Sequence, residues 1–187
     1  NPQEEDRNQS RMVEYLNKSV ELAERVGDAY LAGLSHRRLL NLTGGDEASG
    51  HFEKALKYGK LTRDNFLIAS CQDKMAHLTY WKVFALEDPD KRRETAEKAM
   101  RLYDEASRHY SIISFTSGRV GQVGMPYGWA DHYRNLARWD TDHERRAELL
   151  RKAEKAAVEA LETAYSSDIP VVISGTLSIF SKILREL

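Results

Sequence analysis

Cys71 is the only cysteine in 187 residues, which rules out an internal disulfide framework and a multi-cysteine zinc site. A lone thiol fits a reducing compartment, and a cytoplasmic location is expected. Prolines are nearly as scarce, at positions 2, 89, 126 and 170 only, and no stretch shows the alternation of a half-buried strand. Charge of one sign is also missing: 28 Lys and Arg face 29 Asp and Glu, a formal net charge of −1. With no field to attract polyanions, neither nucleic acid nor a membrane surface is an expected partner. The most apolar late stretch, "IPVVISGTLSIF" from Ile169 to Phe180, is broken by Ser, Thr and Gly and is too short to span a bilayer, so a soluble chain is expected. The opening "NPQEEDRNQS" carries neither an initiator Met nor a basic-then-apolar leader, which reads as part of a longer protein.

What the chain does contain is helix-forming sequence. Met12, Val13, Leu16, Val20, Ala23 and Val26 recur at three- and four-residue intervals, one apolar stripe on a helix. A tight turn at "RVGDAYLAG" leads to a second run through Leu31, Leu34, Leu39 and Leu42, which "TGGDEASG" stops. The pattern resumes at "GHFEKALKYGKLTRDNFLIAS", and a fourth run from Phe66 to Leu86 follows. Asp88 then caps a fifth helix from about Pro89 to His109, with Pro89 at its first position. Thr141 and Glu144 have capping-box spacing for another helix to about Tyr165, and a last helix carries Val172, Ile173, Leu177, Phe180 and Leu184.

The hairpins repeat. "SVELAERVGDAYLAGL" from Ser19 and "ALKYGKLTRDNFLIAS" from Ala55 align without gaps, pairing Asp28 with Asp64, Tyr30 with Phe66 and Leu31 with Leu67. The register continues into Leu39 with Met75 and Leu42 with Leu78. A pattern of small residues begins at Ser19 and Ala55 and returns at Ala99, Tyr103 and Ala106, then at Ala157, Leu161 and Ala164. Small residues there let helices approach closely, as stacked hairpins require.

With "AMRLYDEA" as its best second-helix match, and "VELAERVGDAYLAGL" and "ALETAYSSDIPVVISGTL" as turn and following helix, the chain resembles the tetratricopeptide-repeat superfamily. Its divergent long-repeat members from bacterial and archaeal regulatory proteins are the most similar. The spacings of 36, 44 and 58 residues between successive copies exceed a strict repeat of about 34. The resemblance implies an all-α fold of about eight or nine antiparallel helices, stacked as hairpins into one right-handed superhelical domain over 1–187. It also implies a non-catalytic scaffold that binds a protein or peptide on its concave face. The alternative is a sensor or regulatory domain of a larger signalling ATPase, cyclase or transcription regulator, holding a small ligand or its own catalytic domain.

"SGRVGQVGMPYGW", residues 117 to 129, lies inside the longest spacing and reads as an insertion around 114–129. It lacks the preceding strand and the Lys followed by Ser or Thr that a phosphate cradle needs. Two roles stay open: glycines that ease packing or turning, or a loop that reads a partner. Favouring the second, Tyr127, Trp129, Tyr133 and Trp139 crowd around His132 and Arg134, residue types that anchor protein interfaces although such clusters more often form core, and Arg119 is the one cation inside the glycine segment. Arg37, Arg38 and Lys74, at related positions of the first two copies, would present cations to a peptide or acidic ligand if their helices line the concave side. No His-Glu-x-x-His spacing occurs, and the acidic cluster "DTDHE" is explained by capping, so no metal, cofactor or catalytic residue is assigned. A helical enzyme using Asp131, His132 or His143 is a third, weaker reading.

Overall fold

A computed structural model describes residues 2–113, 116–167 and 170–187, and the side chains of 7–113, 128–165 and 173–187. The described residues form eight α-helices and no strand: α1 (Pro2–Val26), α2 (Ala29–Leu42), α3 (Gly45–Thr62), α4 (Asn65–Val83), α5 (Pro89–Ser111), α6 (Thr116–Trp139), α7 (His143–Ser167) and α8 (Pro170–Leu184). None of them is long and apolar enough to cross a membrane.

The 36-residue match in sequence is a match in turn geometry. Between α1 and α2 the chain reverses through Gly27 at φ +75°, and between α3 and α4 through Arg63 at φ +55°. The amide of Asp28 donates to the Ala23 carbonyl at 2.8 Å, and that of Asp64 to the Gly59 carbonyl at 2.9 Å. Each aspartate then caps the next helix, its Oδ1 accepting from Leu31 or Leu67 at 2.9 Å. Asp88 caps α5 by accepting from the amides of Asp90 and Lys91, with Pro89 in the first turn. At α7 the expected Thr141 is displaced by Asp142, whose Oδ1 accepts from the amides of Glu144 and Arg145 at 2.9 and 3.2 Å. A carboxylate able to satisfy two orphan amides caps at least as well as a threonine hydroxyl.

Each odd helix carries one copy of the small-residue pattern. Ala23, Ala55, Gly59, Ala99, Ala106, Ala157 and Ala164 are all buried. The chain therefore advances one copy per two helices, and the widening spacing reflects longer helices. α2 has 14 residues, α4 has 19 and α6 has 24. Of the stretch read as an insertion around 114–129, the residues from Thr116 onward lie within a single helix. Its extra residues lengthen a helix of the array.

Close approach is visible at Gly33 on α2, where an added Cβ would lie 2.6 Å from Leu67 Cδ2 and 2.9 Å from Tyr58 Cβ. Around it Leu40, Ala48, Ala55, Leu67 and Cys71 form a core shared by α2, α3 and α4. Leu39, Leu40 and Leu67 are wholly buried, each contributing about 1.5–3 kcal/mol. A second core joins Ala69 and Ala76 of α4 to Tyr103, Ala106 and Tyr110 of α5. A third joins Ala130 of α6 to Ala153, Ala156 and Ala157 of α7 and to Ile179 and Ile183 of α8. Trp129 packs against both the second and the third.

Consecutive helices pack against one another along the whole chain, and α2 also touches α4, as α6 touches α8. The α4–α6 link is made by Tyr80, which stacks on His132 with ring centroids 3.5 Å apart and accepts from the Asn135 side chain at 2.8 Å. Odd helices meet through longer side chains: Tyr58 of α3 donates to Glu24 of α1 at 2.8 Å, and Arg145 of α7 reaches Glu97 of α5 at 3.3 Å.

Candidate functional site

Of the residues expected to face a partner from 119 to 139, those whose side chains are described are used in packing. His132 is 6% exposed, held between Tyr80 and Tyr103, whose ring centroid is 4.9 Å away. Its Nδ1 is buried without a hydrogen-bond partner, and burial pushes its pKa down to about 3. Arg134, 8% exposed, donates from Nε to Glu186 at 2.8 Å and approaches Asp131 at 3.4 Å, tying α6 to the residues that follow α8. Trp129 and Tyr133 are half-buried against the third core. Trp139 meets Phe84 edge-on at 4.8 Å, and the Arg92 guanidinium lies 5.4 Å from its ring centre. The side chains of Arg119 and Tyr127 lie outside the described residues.

Arg37 is half-buried between α2 and α4. Its Nε donates to Ser70 Oγ at 3.2 Å, and its guanidinium sits 5.9 Å from the centre of Phe66. Lys74 is half-buried next to Asp73, whose carboxyl is raised above its ordinary range by burial, against the opposing pull of Arg37 and Lys74. Arg38 is exposed. His143 is exposed at the start of α7, whereas His132 is enclosed on α6, so the two do not share an environment.

Among the described residues, Tyr15, Tyr30 and Tyr165 are exposed singly, and a cluster of exposed aromatics lies at the end of α4. Trp81 is 56% exposed and Phe84 45%, although large aromatics ordinarily bury most of their area. Trp81 is nevertheless fixed: its indole N–H donates to His77 Nε2 at 2.8 Å, one helical turn back. Tyr80 meets it edge-on at 6.0 Å, Phe84 lies 5.2 Å away, and the Tyr80 and Phe84 rings also touch at 5.3 Å. Next to it opens a groove of about 330 Å³, lined by Gly45 and Ala48 of α3, by Met75, Leu78, Trp81 and Lys82 of α4, and by Ala85. Lys82 is the one charged residue of that lining.

Sequence reasoning missed this surface. A signal was present in "HLTYWKVF", where three aromatics fall within five residues and a histidine stands four before the tryptophan. Helical phase decides which ring points outward, and Tyr80, at 4% exposure, took the core position beside Trp81. No protein-family model matches the chain, and no curated protein was found to be similar to it.

Proposed function

We propose that this chain is a tetratricopeptide-like scaffold that binds an apolar segment of a partner protein or peptide, with the groove beside Trp81 as its contact. The close packing of α2 on α4 and of α6 on α8, against longer side-chain bridges among odd helices, supports a stack curved toward its even helices. Such arrays act by presenting a rigid surface, and small-residue packing keeps the surface rigid.

The observation that carries the reading is an exposed tryptophan whose orientation is already fixed. Interface affinity concentrates in a few aromatic or arginine anchors, and ordering such a side chain on binding costs free energy. The bond from Trp81 to His77 removes much of that cost in advance. An apolar side chain laid over Ala48, Met75 and Leu78 would exclude water from both surfaces, with Lys82 at the rim favouring an acidic neighbour.

Selection of binders from a displayed random-peptide library on the immobilised chain tests this. Selected peptides should carry a bulky apolar residue flanked by an acidic one, and Trp81→Ala should weaken them at least tenfold with an unchanged helical circular dichroism spectrum. Peptides indifferent to Trp81→Ala, or no enrichment, would refute the groove as the binding surface.

A further inference from the structure

α2 and α3 bring together two histidines that stand 15 residues apart in sequence, and the sequence reading gave neither a role. His36 Nδ1 and His51 Nδ1 are 3.0 Å apart. His36 is 2% exposed, and the His51 side chain 13%. Tyr58 stacks on His36 at 6.0 Å with the ring planes only 8° apart, limiting rotation of that imidazole. The far nitrogens point at carboxylates: His36 Nε2 lies 3.7 Å from Glu24 of α1, and His51 Nε2 lies 3.8 Å from Glu47 of α3. Both Nε2 atoms are buried and neither makes a hydrogen bond. Glu24 is itself held, accepting from the Tyr58 hydroxyl at 2.8 Å.

Proton counting shows what this arrangement lacks. A neutral imidazole carries one N–H and one lone pair. For the two Nδ1 atoms to hydrogen-bond, one ring must donate from Nδ1, which leaves its Nε2 as a bare lone pair facing a carboxylate. The second ring then carries its proton on Nε2, correctly aimed at the other carboxylate. Half of the cluster is thus mismatched whichever ring donates. A cation between the Nδ1 atoms resolves the conflict, because both rings then carry Nε2–H toward Glu24 and Glu47 while both Nδ1 lone pairs face the ion.

We propose that His36 and His51 form a binding site for a divalent transition-metal ion of the zinc, nickel or copper class, coordinated through their Nδ1 atoms and supported by Glu24 and Glu47. Neutral imidazole is a preferred ligand for these ions. Nitrogens about 2.0–2.1 Å from one ion in the tetrahedral arrangement zinc prefers are roughly 3.3–3.4 Å apart. From the observed separation of 3.0 Å the two rings need to part by only a few tenths of an ångström. A ligating histidine ordinarily donates its other N–H to a carboxylate or carbonyl, which fixes the ring and raises its basicity. Here each ring has a carboxylate 3.7 or 3.8 Å from its Nε2, a small closure short of that bond.

Charge and access agree. Two carboxylates offset the dipositive ion, and Lys54 is the remaining charged group acting on the pair. Burial, foremost, holds the pKa of His36 down to about 4 and also lowers that of His51, so both lone pairs are free at neutral pH. Of the two rings His51 is the more accessible, its side chain 13% exposed against 2% for His36, so an ion reaches the pair from the His51 side. Among the described residues no three His, Cys, Asp or Glu side chains converge on one point. The protein therefore supplies two ligands and water completes the coordination, an open site in which the ion also links α2 to α3.

The test uses the full chain, stripped with chelator and desalted, and titrated with zinc chloride at pH 7.5 by calorimetry. One equivalent should bind with a dissociation constant near or below about 10 µM, and the melting temperature should rise with zinc concentration. Glu24→Gln together with Glu47→Gln should weaken binding by about tenfold or more. His51→Gln, at the more accessible ring, should abolish the equivalent, while His143→Gln, at an exposed histidine, should leave it intact. Nitrogen chemical shifts of the histidine rings in unsubstituted protein give a readout independent of folding in the variants: zinc should perturb Nδ1 of His36 and His51 together. No saturable binding up to 100 µM, binding unchanged in His51→Gln, or zinc shifts confined to other histidines would overturn the proposal. So would zinc-free spectra showing the pair already sharing an extra proton at pH 7.5, since the proton would then occupy the cation's place.

Discussion

Replacing His132 with phenylalanine should make the protein less sensitive to acid, by an amount the structure fixes. His132 lies between Tyr80 and Tyr103, is 6% exposed, and has a buried, unpartnered Nδ1. Burial, with a smaller contribution from His77, lowers its pKa from an ordinary 6.5 to about 3. A histidine depressed in the folded state stays neutral there while the unfolded chain takes up a proton. Its contribution to stability is therefore complete above pH 6.5 and is lost as pH falls toward 3. The slope in that window approaches 1.4 kcal/mol per pH unit for one group. Between pH 7.5 and 5.5 this amounts to about 1.4 kcal/mol, because the first unit lies mostly above the unfolded pKa. Phenylalanine stacks between the tyrosines but binds no proton, and any cost of its extra volume applies equally at both pH values. His36, the other strongly depressed histidine, is common to both proteins and cancels. Urea unfolding followed by circular dichroism at fixed ionic strength measures the difference. The unsubstituted protein should lose about 1.4 kcal/mol more than His132→Phe over this range. Parallel losses would refute the claim that His132 is buried in its neutral form.

Two further substitutions and one chemical probe test the packing directly. Gly33→Ala should destabilise the protein by about 1–3 kcal/mol despite the better helix propensity of alanine, because the new methyl meets Tyr58 Cβ at 2.9 Å. Gly50→Ala, on α3 with nothing within 4 Å, should instead stabilise by up to about 1 kcal/mol, and thermal melts of the pair separate crowding from propensity. Cys71, wholly buried and with its thiol pushed up to about 12 chiefly by burial, should react with an aromatic disulfide reagent only as fast as the α2–α4 core opens. Immediate labelling in native buffer would place that thiol at the surface.

The helices were legible because their signals are local. Asp28 with Leu31 and Asp64 with Leu67 are spaced as caps, and the structure makes the same bond twice. The small residues at 23, 55, 99 and 157 declared where neighbouring helices come close, and all four are buried. The insertion read around 114–129 left open whether its glycines ease packing or turning or form a loop, and the helix that runs from Thr116 favours the first. Spacing between copies measures chain length per unit, and chain can be added to a helix as readily as to a connection. Glycine costs only about 1 kcal/mol in a helix interior, so four glycines between 118 and 128 do not by themselves exclude the helix that spans Thr116–Trp139.

Surface residues were less legible, because a sequence gives residue type and helical phase but not which sides of a helix are covered. α6 is flanked by α5, α7 and α8 and also meets Tyr80 of α4, so that His132 and Arg134, on different sides of one turn, are both enclosed. A helix covered on several sides has room for aromatic and basic groups only where each finds a local partner. His132 finds the tyrosines, Arg134 finds Glu186 and Trp139 finds Phe84 and Arg92. At the end of α4 one aromatic run is split, with Tyr80 facing inward against His132 while Trp81 and Phe84 remain half in water. Similar chemistry therefore gives packing on α6 and an available surface on α4. What decides is which side chains of other helices cover each position, and no local spacing encodes that.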